Sequence, residues 1–251
     1  MRRSWGVAED GAVVEVCVPS RLAARLDEVW PPRGLTAVDE GREPVRLALE
    51  LSPALGGTLV VRVDGAPATG GWDRIESELA LFAAERLDGP VAVHAAVLLH
   101  HGRAVLVPGP SGSGKSRLCV AAAGAGATVL SDEYALVDPV SARVTGWPRP
   151  VRVRRRDGSV ERIDLAEISE PVPVGLVALL RYEPNSALRL AALSPADAAL
   201  GLLANTVCAR SRPEPAFDAA LAVARSCPAV SGVRGDAGVC VAHLLDRLPA
   251  G

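Results

Sequence analysis

Residues 109–116 read Gly109-Pro110-Ser111-Gly112-Ser113-Gly114-Lys115-Ser116, and no other stretch of the chain restricts the fold so strongly. The run satisfies Gly-x4-Gly-Lys-[Ser/Thr] at every specified position. Glycines let a backbone turn so tightly that successive amides face one side, where they can gather the oxygens of an anion. An apolar run, 103–108, precedes it, and a helical pattern over 116–125 follows. The unpaired amides and positive dipole end of that helix add to the same field. Lys115 is the only lysine in the chain, all other cations being arginines. A compact ammonium therefore stands where this loop needs one.

The flanking segments extend the pattern. Strands are expected over 91–99 and 103–108, a helix over 116–125, and another strand over 127–131 ending at Asp132-Glu133. Strand, loop, helix, strand specifies an α/β core with a phosphate-binding P-loop and its ligand at the carboxyl ends of the strands. Further on, 176–182 and 188–193 read as strands. Residues 195–205, with Pro195 in a first turn, and 217–225 read as helices. Before this core, 13–18, 45–51 and 58–63 are strand-like between Pro31-Pro32, Gly56-Gly57 and Gly70-Gly71, and 72–87 carries a helical repeat stopped by Gly89-Pro90. The expected organisation is a small β-rich cap or recognition region over 1–72 and a nucleotide domain over 73–251.

Composition narrows the function classes. Hydrophobic residues make up 49% of the 251, enough for a buried core and against disorder. A net charge of −2 and an aromatic content of 3% argue against nucleic acid as a partner. No apolar stretch approaches membrane-spanning length, and the Met-Arg-Arg start lacks the apolar core of a signal peptide, so no membrane partner and a cytoplasmic location are expected. Five scattered cysteines without a Cys-x-x-Cys pair read as buried free thiols.

At the loop, Gly109, Pro110, Ser111, Gly112, Ser113, Gly114, Lys115, Ser116 and Arg117 are the expected nucleotide-binding residues. Lys115 would reach the β- and γ-phosphates of ATP, and Ser116 would ligate Mg²⁺. Of Asp132 and Glu133, one carboxylate can accept a proton from a substrate hydroxyl while the other holds the metal. His94 interrupts an apolar strand and reads either as a core residue or as part of the site. In the arginine-rich run 149–156, alternation puts Arg152 and Arg154 on one strand face. There they are either solvated or a clamp for phosphate or an acidic peptide. Arg210 and Arg212 are weaker candidates of the same kind.

The order His94-Ala95-Ala96, strand, 109–116, helix, Leu130-Ser131-Asp132-Glu133 resembles the HPr kinase/phosphorylase fold, which is similar to the nucleotide domain of ATP-dependent phosphoenolpyruvate carboxykinase. The nearest likeness is to HPr kinase-related proteins, some of which accompany peptide natural-product pathways. The resemblance covers about residues 90–155 well and 156–250 loosely. It implies Lys115 as the phosphate lysine, Ser116 as the Mg²⁺ ligand, Asp132 as the catalytic carboxylate, Glu133 as a metal-linked acid and His94 as a residue near the reacting groups. The glutamate-led Glu-Ile-Arg-Gly-type signature of the bifunctional enzymes is absent around 146–156, a departure that argues against phosphorylase activity and against HPr itself as substrate. The implied activity is ATP-dependent phosphorylation of a Ser/Thr-type hydroxyl on a peptide or protein. A small hydroxylated metabolite is the alternative acceptor, and a nucleotide-dependent switch or assembly protein is the alternative from another class. A homo-oligomer is compatible with this reading.

Overall fold

The structure, a computed structural model, describes the strands between residues 2 and 69, residues 77, 80, 81, 84, 85 and 87, and residues 89–147, 150–154, 160–163, 165 and 170–248; for the strands before residue 70 and for residues 152, 154 and 160–162 the description is of the backbone. The chain divides into two compact units, Met1–Asp88 and Gly89–Gly251. It is a mixed α/β protein. The helical residues Ser77, Ala80, Leu81, Ala84 and Glu85 fall within the first unit.

The first unit holds a six-stranded sheet of β1 (Arg2–Val7), β2 (Val13–Cys17), β3 (Leu35–Ala37), β4 (Val45–Ser52), β5 (Thr58–Val63) and β6 (Ala66–Thr69), in the order β3-β1-β2-β4-β5-β6. The three strands expected from its sequence are β2, β4 and β5. Pairing is antiparallel except for the parallel β2–β4 contact.

The second unit is built on an eight-stranded, mostly antiparallel sheet. Its strands are β7 (Val91–His100), β8 (Arg103–Pro108), β9 (Thr128–Ser131), β10 (Tyr134–Val137), β11 (Arg143–Gly146), β14 (Val172–Tyr182), β15 (Arg189–Leu193) and β16 (Ala229–Arg234). Their order is β11-β10-β7-β8-β14-β16-β15, with β9 also on β7 and an additional β11–β14 pairing. A separate two-stranded sheet joins β12 (Val151–Arg154) to β13 (Val160–Ile163).

Four helices cover the sheet among the described residues: α1 (Lys115–Gly124), α2 (Pro195–Ala204), α3 (Pro213–Ser226) and α4 (Ala237–Leu245). Strand alternation decides which face each side chain serves. Val91, Val93, Ala95 and Val97 of β7, with Ala104 and Leu106 of β8, pack with Ala198 and Leu202 of α2 and Ala216, Ala220 and Val223 of α3. Ala96, Leu98, Val105 and Val107 face the other way, onto Leu118 and Ala122 of α1 and Val241 and Leu244 of α4. The sheet is therefore a middle layer, and β7 is buried on both faces because both faces carry helices.

Strand direction positions the site. β8 runs parallel to β14, which runs parallel to β16. β9 is antiparallel to β7, itself antiparallel to β8, so β9 points the same way as β8 although β7 lies between them. The carboxyl ends of β8, β9, β14 and β16 thus lie toward one edge of the sheet.

Candidate functional site

That edge carries the glycine-rich turn. Gly112 and Gly114 adopt φ of 82° and 87°, the left-handed region that a side chain makes costly, which is why glycines occupy these positions. Gly114 is the N-cap of α1; it supplies no capping side chain, and the first turn of the helix contains no acidic residue. By contrast, Ser194 caps α2 through Asp197 N, and Asp236 caps α4 through Val239 N. The amides at the start of α1 thus lack the side-chain acceptor that α2 and α4 possess, an arrangement suited to an external anion.

Lys115 is 6% exposed, and its Nζ donates to the carbonyls of Gly109 at 2.8 Å and Pro110 at 3.0 Å. The ammonium is folded back across the turn it belongs to. Burial lowers its pKa, while the carboxylates of Glu133 and Asp132 oppose that shift, so both acids lie close enough to act on it.

Asp132 and Glu133 were expected as the acidic end of a strand. They do follow the end of β9 at Ser131, and beyond them the strand line continues: β9 pairs with residues 97–99 of β7, and β10 resumes opposite residues 91–94. The break is held by the Ser131 hydroxyl, which accepts from Glu133 N at 3.1 Å and Tyr134 N at 3.2 Å, while Ala95 N donates to Glu133 O at 3.2 Å. Pairing on both sides fixes the position of the two carboxylates more firmly than a free turn would. Across the site, the Ser116 hydroxyl donates to Asp132 Oδ2 at 2.6 Å. Two hard oxygen donors from different elements therefore stand together at the mouth of the turn. No group of three or more His, Cys, Asp and Glu side chains suited to a metal occurs among the described residues. Magnesium does not require one, since it is commonly held by one or two carboxylates together with substrate phosphates and water.

His94 sits between the two halves of the site. Its carbonyl accepts from Gly109 N at 3.1 Å, its amide donates to Asn205 O at 2.8 Å, and it pairs across strands with Tyr134. Its ring lies 5.7 Å from that of Tyr134, which stands edge-on to Trp147 at 5.4 Å. Burial first, then the Lys115 charge, lowers its pKa to about 4, so the imidazole is neutral at pH 7. Arg117 is exposed on α1. The side chains of Arg152 and Arg154 lie outside the described residues, as do Arg149, Arg155 and Arg156 altogether. Arg210 is exposed in the turn between α2 and α3, and Arg212 is the N-cap of α3.

One residue at this edge has no counterpart in the sequence reading. Arg234, the last residue of β16, is 1% exposed, and its Nη2 donates to Ser113 O at 2.9 Å and Gly114 O at 3.1 Å. The available signal was a lone arginine closing the apolar run Ala229-Val230-Ser231-Gly232-Val233, which is weak by itself. Of the five cysteines, Cys119, Cys208 and Cys240 are buried and Cys227 is half-buried, none of these four in a disulfide, while the Cys17 side chain lies outside the described residues; burial raises the Cys119 pKa well above its ordinary value. Among the described residues, no helix is long and apolar enough to cross a membrane. The chain matches no protein-family model and no curated protein.

Proposed function

We propose that the chain is an ATP-dependent kinase of the HPr kinase-like P-loop type, moving the γ-phosphoryl group of MgATP to a Ser/Thr-type hydroxyl of a peptide or protein. The observation that carries the reading is the 2.6 Å hydrogen bond between Ser116 and Asp132, made beside a buried lysine and a helix start without a side-chain cap. Polyphosphate recognition falls to the amides of the turn and to Lys115, which exchanges its bonds to Gly109 and Pro110 for phosphate oxygens. Ser116 and Glu133 would hold Mg²⁺, with Asp132 hydrogen-bonded to the Ser116 hydroxyl, and the ion would supply charge neutralisation on the phosphates.

Asp132 takes the proton of the acceptor hydroxyl as that oxygen attacks the γ-phosphorus and the bond to the β-phosphate oxygen breaks. Catalysis is then mostly positioning and electrostatics. His94, neutral and half-buried, adds shape and a neutral polar group rather than a cation. The peptide acceptor rests on the resemblance to HPr kinase-related proteins, and the cytoplasm is the compartment in which reduced thiols and ATP coincide.

The test is incubation of the purified full-length chain with γ-labelled ATP, Mg²⁺ and separate peptide and metabolite pools. Label on peptide hydroxyls supports the proposal. Label confined to small molecules rejects the peptide acceptor, and fast hydrolysis indifferent to every acceptor rejects the kinase reading in favour of a switch or assembly NTPase.

A further inference from the structure

Arg234 differs from a surface arginine in its surroundings. It is fully enclosed, and its fork reaches three carbonyls: Ser113 and Gly114 through Nη2, and Gly235 through Nη1 at 3.4 Å. Its Nε is buried with no hydrogen-bond partner. Its guanidinium carbon lies 5.1 Å from the centre of the Tyr182 ring, a cation–π contact. No carboxylate among the described residues lies within ion-pair distance of it, although Asp236 acts on it from farther off. An arginine remains charged in proteins, and a buried charge without a counter-ion is expensive to keep.

We infer that Arg234 is a positioning residue of the nucleotide site: it aims the turn's amides at a polyphosphate and leaves a buried positive charge beside the turn that an anionic ligand neutralises. This deepens the nucleotide reading above and rests on it. The aiming follows from peptide geometry. In a planar trans peptide the C=O of one residue and the N–H of the next point in opposite directions. Holding Ser113 O and Gly114 O against the guanidinium therefore directs the amides of Gly114 and Lys115 away from it. These are the amides at the uncapped start of α1. The fit is reciprocal, because a Cβ on Gly114 would collide with Arg234 Nη2. The guanidinium thus reaches the turn only because residue 114 has no side chain. Burial lowers the Arg234 pKa; Cys240, Tyr182 and Asp236 oppose that shift, while the nearby Arg117 charge adds to it.

The experiment compares the full-length wild type with Arg234→Gln and Arg234→Lys by calorimetric titration with MgADP, by melting without nucleotide, and by kcat and KM for MgATP. Glutamine removes the charge and most of the fork. Lysine keeps the charge but cannot span the carbonyls in the same plane. The expected result is a dissociation constant raised about tenfold or more in Arg234→Gln and by a smaller factor in Arg234→Lys. KM should rise in step, kcat should change little, and the nucleotide-free melting temperature should stay within about 5 °C of wild type. Wild-type affinity in both variants overturns the inference. So does a large melting loss with unchanged affinity in the folded fraction, because that is the mark of a purely structural arginine. Should Arg234→Gln fail to fold, wild-type affinity in Arg234→Lys is sufficient to overturn it. If the wild type itself binds no nucleotide, the functional reading fails and takes this inference with it, an outcome distinct from a defect confined to the variants.

Discussion

The Ser116 hydroxyl bonds the Asp132 carboxylate at 2.6 Å across 16 positions of sequence, joining the first turn of α1 to the break between β9 and β10. The contact exists because β9 returns in the direction of β8 with β7 between them, which brings Asp132 level with the turn that follows Pro108. Asp132→Asn preserves shape and can still accept the serine's hydrogen bond. Nucleotide affinity should therefore stay within about threefold of wild type, while kcat falls by on the order of 10²–10⁴-fold, as for loss of a general base. Titration calorimetry and a labelled-ATP assay on the same preparation separate the two. Full turnover in the variant would remove Asp132 from the role of base.

Lys115 is fixed by two carbonyls at 2.8 and 3.0 Å inside a nearly closed space. Neither deletion nor enlargement should be tolerated. Lys115→Ala is expected to abolish measurable transfer, and Lys115→Arg to fail as well, because a planar fork cannot occupy the ammonium's place at 6% exposure. Recovery of more than about a tenth of wild-type turnover by arginine would contradict the role of a compact point charge.

Gly114 is constrained twice, by a φ of 87° and by the approach of Arg234. Gly114→Ala should destabilise the chain by about 1–3 kcal/mol in urea unfolding and weaken nucleotide binding together. Gly126 has a similar φ of 81° but open space around it, so Gly126→Ala should carry the backbone cost alone and leave binding unchanged.

His94 gives a pH signature. Its pKa is lowered from 6.5 to about 4 in the folded chain, so the unfolded chain binds more protons between those values. The contribution of the neutral ring is fully present above pH 6.5, declines as pH falls from 6.5 toward 4, and changes no further below that. His94→Gln should flatten the part of the stability profile in that window that wild type shows. Equal slopes in the two proteins would mean that His94 titrates normally.

The sandwich of helices on both sheet faces makes β7 and β8 sensitive on either side. Leu98 faces α1 and α4, Leu106 faces α2 and α3, and both are fully buried. Leu98→Ala and Leu106→Ala should each cost about 2–5 kcal/mol by denaturant unfolding, since each leaves a cavity between well-packed layers.

Local chemistry made half of this site readable. The turn, its strand and its helix are contiguous, and Gly112, Gly114, Lys115 and Ser116 carry meaning in their own order. Asp132 could be found because an apolar run leads directly into it. What escaped was non-local. β10 and β11 are four residues each, too short for a period to show, and their strand character comes from pairing with β7 and β14. β14 starts at Val172, ahead of the expected 176, although Pro173 cannot donate to a ladder; there it pairs with Arg143 of the short β11. α4 offered a legible signal in Asp236 followed by the buried stripe Cys240, Val241, Leu244 and Leu245, but Gly238 and the β-branched Val239 and Val241 weaken its helical propensity. Arg234 acquires its importance only when β16 lines up beside β14, 120 positions from the glycine whose carbonyl it holds.

Calorimetry of the full-length wild type and Lys115→Ala with ATP, and with GTP as comparison, in the presence and absence of Mg²⁺ tests the central claim most directly. The wild type should bind ATP with a magnesium-dependent heat at one site per chain, and Lys115→Ala should show none. Absence of heat with either triphosphate in the wild type, or equal binding by the variant, would contradict a polyphosphate site at residues 109–116.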